Sequence, residues 1–184
     1  MKKKIILTDL NGEMIKAWRT HLGKFEFEYF DVEIGSGDFL NIKADAFVVP
    51  GNSFGVIDGG ASLAAKQRFP NLEVDIKKDI ETKHKGELLV GFATSTTAGD
   101  SQSVIYAPTI RKIGDVGQER ASYLAMRGAI LHWRYKMGAD QPLWHSIDTI
   151  SVPGLGTGAG KYKIYRAAHN MFNAIKTVES HLGV

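Results

Sequence analysis

The sequence has no cysteine among its 184 residues. That excludes a disulfide framework, a thiolate zinc site and a cysteine nucleophile, and it fits a reducing, cytoplasmic setting. No apolar stretch approaches the roughly 20 residues that a membrane span needs. The N-terminus carries charge but neither a long apolar segment nor a small-residue cleavage site, so no signal peptide is expected. Basic residues form no run longer than Lys2, Lys3 and Lys4, which read as a solvated start to a strand. A dedicated nucleic-acid binder is therefore not expected, and Arg111, Lys112, Arg120, Arg127 and Arg134 read as a solvated helix face plus a loop. The six histidines show no ligand spacing, so no metal is assigned, and no cofactor is expected.

What is present is ordinary for a globular chain: 43% hydrophobic residues, 23% charged, and a formal charge of +3. The length suits one domain over residues 1–184, with the strand, helix and strand of residues 1–34 integral to it. Apolar spacing marks strands at 4–10, 25–35, 44–52, 87–94, 103–109 and 146–153. Helical spacing marks 11–23, 59–69, 71–84, 118–138 and 161–182. Strands alternating with helices predict an α/β sandwich around a mostly parallel sheet. The FEFEYF stretch, with Phe25, Phe27 and Tyr29 alternating with glutamates, predicts a half-exposed, antiparallel edge.

In such a sheet the ligand sits beyond the carboxyl ends of the strands. Four unusual loops bear on that rule: GSGDF at 35–39, PGNSFGVIDGG at 50–60, APTI at 107–110 and PGLGTGAG at 153–160. PGLGTGAG joins a strand to a helix. Its glycines expose N–H groups, so it can form an anion-binding nest ahead of the helix, or it can serve only as a tight packing turn. It lacks the Lys-Ser/Thr ending of a Walker A loop and lies too late in the chain for a Rossmann fingerprint. PGNSFGVIDGG has the same design. Asn52 suits a ribose hydroxyl or a bound water, and Asp58 suits either an acid/base role or a helix cap. Asp38 suits either an Asx turn or acceptance of the adenine amino group.

Taken together, GDF at 37–39, DAFVVPGNS at 45–53, VIDGGASLA at 56–64, GELLVG at 86–91, VIYAPT at 104–109 and ISVPGLGTGAG at 150–160 resemble the macro domain family of ADP-ribose-binding modules. The likeness runs from about Gly35 onwards and is nearest to the branch with a GNSFG…DGG loop. It implies a three-layer α/β/α fold with a central mixed, mostly parallel sheet. By position it implies that Asp38 takes the adenine amino group with the Phe39 backbone beside it. Asn52 would contact the distal ribose. Gly59 and Gly60 would close over the phosphates, and Gly156 to Gly160 would cradle the diphosphate. The full ligand set expected is Asp38, Phe39, Asn52, Ser53, Phe54, Gly59, Gly60, Thr109, Gly154, Leu155, Gly156, Thr157, Gly158, Ala159 and Gly160.

The departures bear on catalysis. The family's mono-ADP-ribosyl hydrolases carry an Asp two positions after the glycine run, where this chain has Ser62. Their loop aromatic corresponds to Gly160, with Tyr162 near but not equivalent. No strand is expected after the last helix, so the adenine-stacking residue has no place in the sequence, and the N-terminal strand and helix are candidates to stand in. The expected partner is ADP-ribose or an ADP-ribosylated molecule. An enzyme of this type would hydrolyse at the distal ribose, as an ADP-ribose 1″-phosphate phosphatase or a mono-ADP-ribosyl hydrolase, with Asn52 and Asp58 as its catalytic residues. The alternative is a non-catalytic, phage-type structural or partner-binding protein of the same fold.

Overall fold

A computed structural model describes residues 2–98, 102–115, 119–136, 143–158 and 160–182. Among these residues, six strands form one sheet in the order β2-β1-β6-β3-β5-β4. They are β1 (Lys3–Asp9), β2 (Phe30–Ser36), β3 (Ala46–Asn52), β4 (Thr94–Ala98), β5 (Gln102–Ile110) and β6 (Thr149–Val152). All neighbours are parallel except β4 and β5. The helices are α1 (Gly12–Leu22), α2 (Gly60–Arg68), α3 (Leu72–His84), α4 (Ala121–Tyr135), the short α5 (Leu143–Ser146) and α6 (Ile164–Glu179).

Side-chain alternation along the central strands builds two cores. In β3, Ala46 and Val48 face one core while Phe47 and Val49 face the other. In β5, Ile105 and Ala107 alternate in the same way with Val104 and Tyr106. The first core is closed by α1, α4 and α6 through Trp18, Met126, Trp133 and Met171. The second is closed by α2 and α3 through Ala65, Leu72, Ile76 and Ile80. Strands buried on both faces need apolar residues at nearly every position, which FVVP supplies. In β6 the buried Ser151 is accommodated because its hydroxyl donates to the Phe39 carbonyl. The result is three layers, α/β/α, around a mixed and mostly parallel sheet.

Two strands differ from the sequence expectation. Residues 25–28 are irregular rather than extended, and the strand proper begins at Phe30. Phe25 and Phe27 instead turn onto Phe172 of α6, with ring centroids 5.2 and 6.2 Å away, and Lys176 lies over the Phe25 ring. Helix packing, not sheet formation, accounts for that alternation. β2 pairs parallel with β1, so the antiparallel edge lies at the far side, at β4. Residues 87–93 likewise form a turn, with Gly91 at φ 104° and the Phe92 N–H donating to the Leu89 carbonyl, and the strand follows at Thr94. The N-terminal strand occupies an inner position, parallel to both β2 and β6. It thereby fills the sheet beside the last strand of the chain.

Candidate functional site

The carboxyl ends of β1, β2, β3, β5 and β6 open into one cleft of about 430 Å³. All four loops singled out in the sequence reach it, and a fifth, Thr8 to Asn11, joins them. That volume lies within the range of about 300–1,000 Å³ usual for small-molecule sites. The charged residues lining it are Asp9, Asp38 and Asp58. No lysine or arginine lines it among the described residues. An anion bound here would be held by backbone dipoles rather than by cations.

The first loop leaves β3 at a bulge. Gly51 pairs with Pro108 and Asn52 with Ile110, because Pro108 offers no N–H to the ladder. The buried Tyr106 hydroxyl repairs the break. It accepts from the Asn52 N–H and donates to the Asn52 carbonyl, both at 2.9 Å. Burial pushes that hydroxyl's pKa up, so it stays protonated. A Cβ on Gly51 would lie 2.0 Å from the Tyr106 hydroxyl oxygen, so glycine is required there.

Asn52 is buried and lines the cleft, and its amide oxygen and one amide N–H are engaged by its own loop. Oδ1 accepts from the Phe54 and Val56 N–H groups at 3.0 and 3.3 Å, and Nδ2 donates to the Val56 carbonyl at 2.7 Å. The loop is tied from behind by Glu73, which accepts from the Ile57 N–H. Hydrogen bonds from Lys66 and then Lys77 hold the Glu73 carboxyl down at about 2.

Asp58 is exposed and lines the cleft. It does not cap α2: the N-cap is Gly59, and no side chain caps that helix. Gly60 takes φ +56°, a conformation that glycine adopts without strain. The N–H groups of Asp58 to Ser62 have no acceptor among the described residues. They form the open N-terminus of α2. The Ser62 hydroxyl is turned back onto the Gly59 carbonyl at 2.8 Å.

The second loop is also pinned at its root. The Gly154 N–H donates to Asp9 Oδ2 at 2.9 Å, and Ser122 Oγ donates to the Leu155 carbonyl at 2.7 Å. Gly156 takes φ +78°. The N–H groups of Leu155, Gly156, Thr157 and Gly158 have no acceptor among the described residues. Gly160 admits no side chain, since a Cβ there would lie 2.8 Å from the Gly156 carbonyl oxygen. Tyr162 turns away from the cleft, and its hydroxyl donates to the Glu119 carbonyl.

At the other end, Asp38 follows β2. Its Oδ1 accepts from the Leu40 N–H at 2.9 Å, capping the short 3₁₀ turn Phe39–Asn41. The Asx-turn reading therefore holds for one oxygen, while the residue still lines the cleft. The Phe39 ring packs in the second core, its carbonyl accepts from Ser151 Oγ, and its N–H has no acceptor among the described residues.

Of the expected ligand set, Asp38, Phe39, Asn52, Gly59, Gly60, Thr109, Gly154, Gly156, Thr157, Gly158 and Gly160 line the cleft together. Ser53, Phe54 and Leu155 do not. Ser53 is buried behind β3 with its N–H bonded to the Ile110 and Arg111 carbonyls. Phe54 lies under the Arg111 guanidinium, and the Leu155 side chain is sealed in the first core. Ala159 lies outside the described residues. The sequence reading missed Thr8, Asp9, Leu10, Asn11 and Ile113. For Thr8 to Asn11 the signal was the turn DLNG closing a buried strand, but its relevance depends on where β1 sits in the sheet; Ile113, beyond β5, carried no such signal. No cluster of three metal-ligating side chains occurs among the described residues, and no helix there is long and apolar enough to cross a membrane.

No family model matches the chain. It is 30% identical over 151 residues to an uncharacterized protein of Aquifex aeolicus, covering 81% of this chain and 83% of that one. It is 28% identical to an uncharacterized protein of Aeropyrum pernix, of which it spans 65%. Among solved structures it resembles the macrodomain of Mycobacterium tuberculosis DarG (TM-score 0.64, 23% identity), covering 79% of this chain and 90% of that one. It also resembles Thermosipho africanus DarTG in complex with ADP-ribose (TM-score 0.61, 17% identity), covering 77% of this chain and 37% of that one. An Oceanobacillus iheyensis macrodomain with ADP has a TM-score of 0.63 at 19% identity, with 79% of this chain and 74% of that one covered. These structural likenesses are of fold.

Proposed function

We propose that this chain, a macrodomain by fold and a member of one family with the Aquifex aeolicus protein, binds the ADP-ribosyl group in the cleft at the carboxyl edge of its sheet. The observation that carries this reading is the pairing of two glycine loops. Each leaves a buried strand, each leads into a helix, and together they offer two rows of unpaired N–H groups to one space. A diphosphate satisfies both rows at once, with the N-terminal end of α2 adding a favourable dipole. The free oxygen of Asp38 and the Phe39 N–H match the amino group and adjacent ring nitrogen of adenine, a donor and an acceptor side by side. Leu10 at the end of β1, 80% exposed beside them, gives the purine an apolar face. The distal ribose then lies toward Asn52 and Asp58.

Asn52 serves this site by shaping the loop, since its amide oxygen already takes two N–H groups. Turnover is the finer reading, and Asp58 favours it because its carboxylate faces the cleft without a capping role. As a general base it would take a proton from a water attacking the anomeric carbon of the distal ribose, the bond to the attached group breaking as that group leaves with a proton. Asp58→Asn separates the two readings. A binder keeps its affinity and shows no turnover in either form. A hydrolase using Asp58 loses about 100-fold or more in rate while retaining affinity. Asp38→Ala tests recognition itself: ADP-ribose affinity falls about tenfold or more, and an unchanged affinity would remove Asp38 from the site.

A further inference from the structure

We propose that Asp9 is the positioning residue of the second glycine loop, holding it in its ligand-ready shape before anything binds. The proposal rests on the reading of the cleft as a diphosphate site. Strands β1 and β6 run parallel with Leu7 opposite Val152, so both chains leave the sheet side by side. Two residues past each of these, Asp9 meets Gly154. Its Oδ2 accepts from the Gly154 N–H at 2.9 Å, and its Oδ1 accepts from the Asn11 N–H at 2.8 Å. Asn11 in turn caps α1, its Oδ1 accepting from the Glu13 N–H at 2.9 Å. One carboxylate therefore ties the root of the glycine loop to the start of a helix.

The sequence of the loop explains why such a tie is needed. Four of its residues between 154 and 160 are glycines, and a chain of that kind has many conformations to lose on binding. Fixing Gly154 from one side, while Ser122 fixes the Leu155 carbonyl from the other, sets the direction in which the next N–H groups point. Ordering completed in the free protein is ordering that the ligand need not impose. Gly154 suits this tie sterically: a Cβ there would stand 2.8 Å from Asp9 Oδ2 and push the carboxylate out. A carboxylate beside an anion site also repels the anion, so charge complementarity gives no reason for it. Both oxygens already accept backbone N–H groups, which makes Asp9 a group acting through the loop rather than on the ligand.

The test compares wild type, Asp9→Ala and Asp9→Asn by two readouts. Backbone ¹⁵N order parameters of Gly154 to Gly158 are measured in the free protein, and dissociation constants for ADP and adenosine are measured by titration. In wild type the loop is as rigid as the sheet, with order parameters near about 0.85, and in Asp9→Ala they fall below about 0.6. ADP affinity falls about tenfold or more with adenosine unchanged. A general loss of structure would instead weaken both ligands. Asp9→Asn lies between the two, because one amide oxygen can still receive Gly154 while the amide N–H₂ faces a second donor. It decides the matter if Asp9→Ala does not fold. Wild type that binds ADP, with both variants as rigid and as tight, overturns the role of Asp9 alone. Wild type that binds no ADP overturns the diphosphate reading and this role with it.

Discussion

Gly158→Glu separates the fold from the site most sharply. A Cβ at Gly158 meets no atom within 4 Å, and its φ lies outside the left-handed region. The substitution therefore leaves stability within about 0.5 kcal/mol of wild type. It places a carboxylate at the edge of the row of N–H groups that we assign to the diphosphate. Two like charges about 6 Å apart repel by about 2.8 kcal/mol at an effective dielectric of about 20, and by about 0.7 kcal/mol in bulk water. Two phosphate charges, partly screened at that range, give about 2–3 kcal/mol, or about 30- to 150-fold in dissociation constant. Calorimetric titration of ADP-ribose checks the affinity, and thermal unfolding checks the fold. Raising the salt to 1 M shortens the screening length to about 3 Å and restores part of the affinity. Gly158→Ala, which adds bulk without charge, stays within about threefold of wild type. A Gly158→Glu protein that binds ADP-ribose as tightly as wild type refutes the assignment of this loop to an anion.

The remaining expectations concern the frame around the cleft. Gly51→Ala forces the Tyr106 ring aside and breaks its two hydrogen bonds to Asn52, costing about 2–4 kcal/mol and lowering the melting temperature by about 5–15 °C. Calorimetry showing no change would mean that β3 and β5 can separate at that point. Burial, reinforced by Lys136 and other neighbours, holds His132 at about 4 against an ordinary 6.5. Its neutral form is the folded one, so its contribution is complete above pH 6.5 and is lost as pH falls toward 4. The loss is at most about 3 kcal/mol. His132→Gln, which can still meet Ser95, should flatten that part of a denaturant-midpoint profile. Glu73 behaves oppositely in origin but alike in direction: its depressed pKa stabilises the fold above about pH 4.5 and the stabilisation fades as pH falls toward 2. Glu73→Gln should cost about 1–2 kcal/mol at neutral pH and loosen the loop at Ile57, read by urea denaturation and by ¹⁵N relaxation.

The legible parts of the sequence were those whose reasons are local. FVVP and IDTISVP announce strands buried on both faces, and glycine clusters directly after them announce loops stripped for close approach. Asp38 and Asn52 could be singled out because each stands in a turn that its own side chain helps to build. The illegible parts depend on what lies opposite. Phe25 and Phe27 alternate like a strand, yet the surface that claims them is Phe172 of a helix about 145 residues later. Ser53 and Leu155 belong to motifs that reach the cleft, but the bulge at Asn52 and the tie from Ser122 turn them inward. Thr8 to Asn11 were passed over because only the sheet order brings the end of β1 between the ends of β2 and β6. That placement completes the cleft with residues from the start of the chain.

The central claim is that both glycine loops grip one diphosphate between an adenine site at Asp38 and a ribose site near Asp58. Titration of the wild-type protein with ADP-ribose, ADP and AMP by calorimetry tests it most directly. The account predicts micromolar binding of ADP-ribose, weaker binding of ADP, and a further fall of about tenfold or more for AMP, which lacks the second phosphate. Equal affinity for AMP and ADP, or no heat with any of the three, would contradict it.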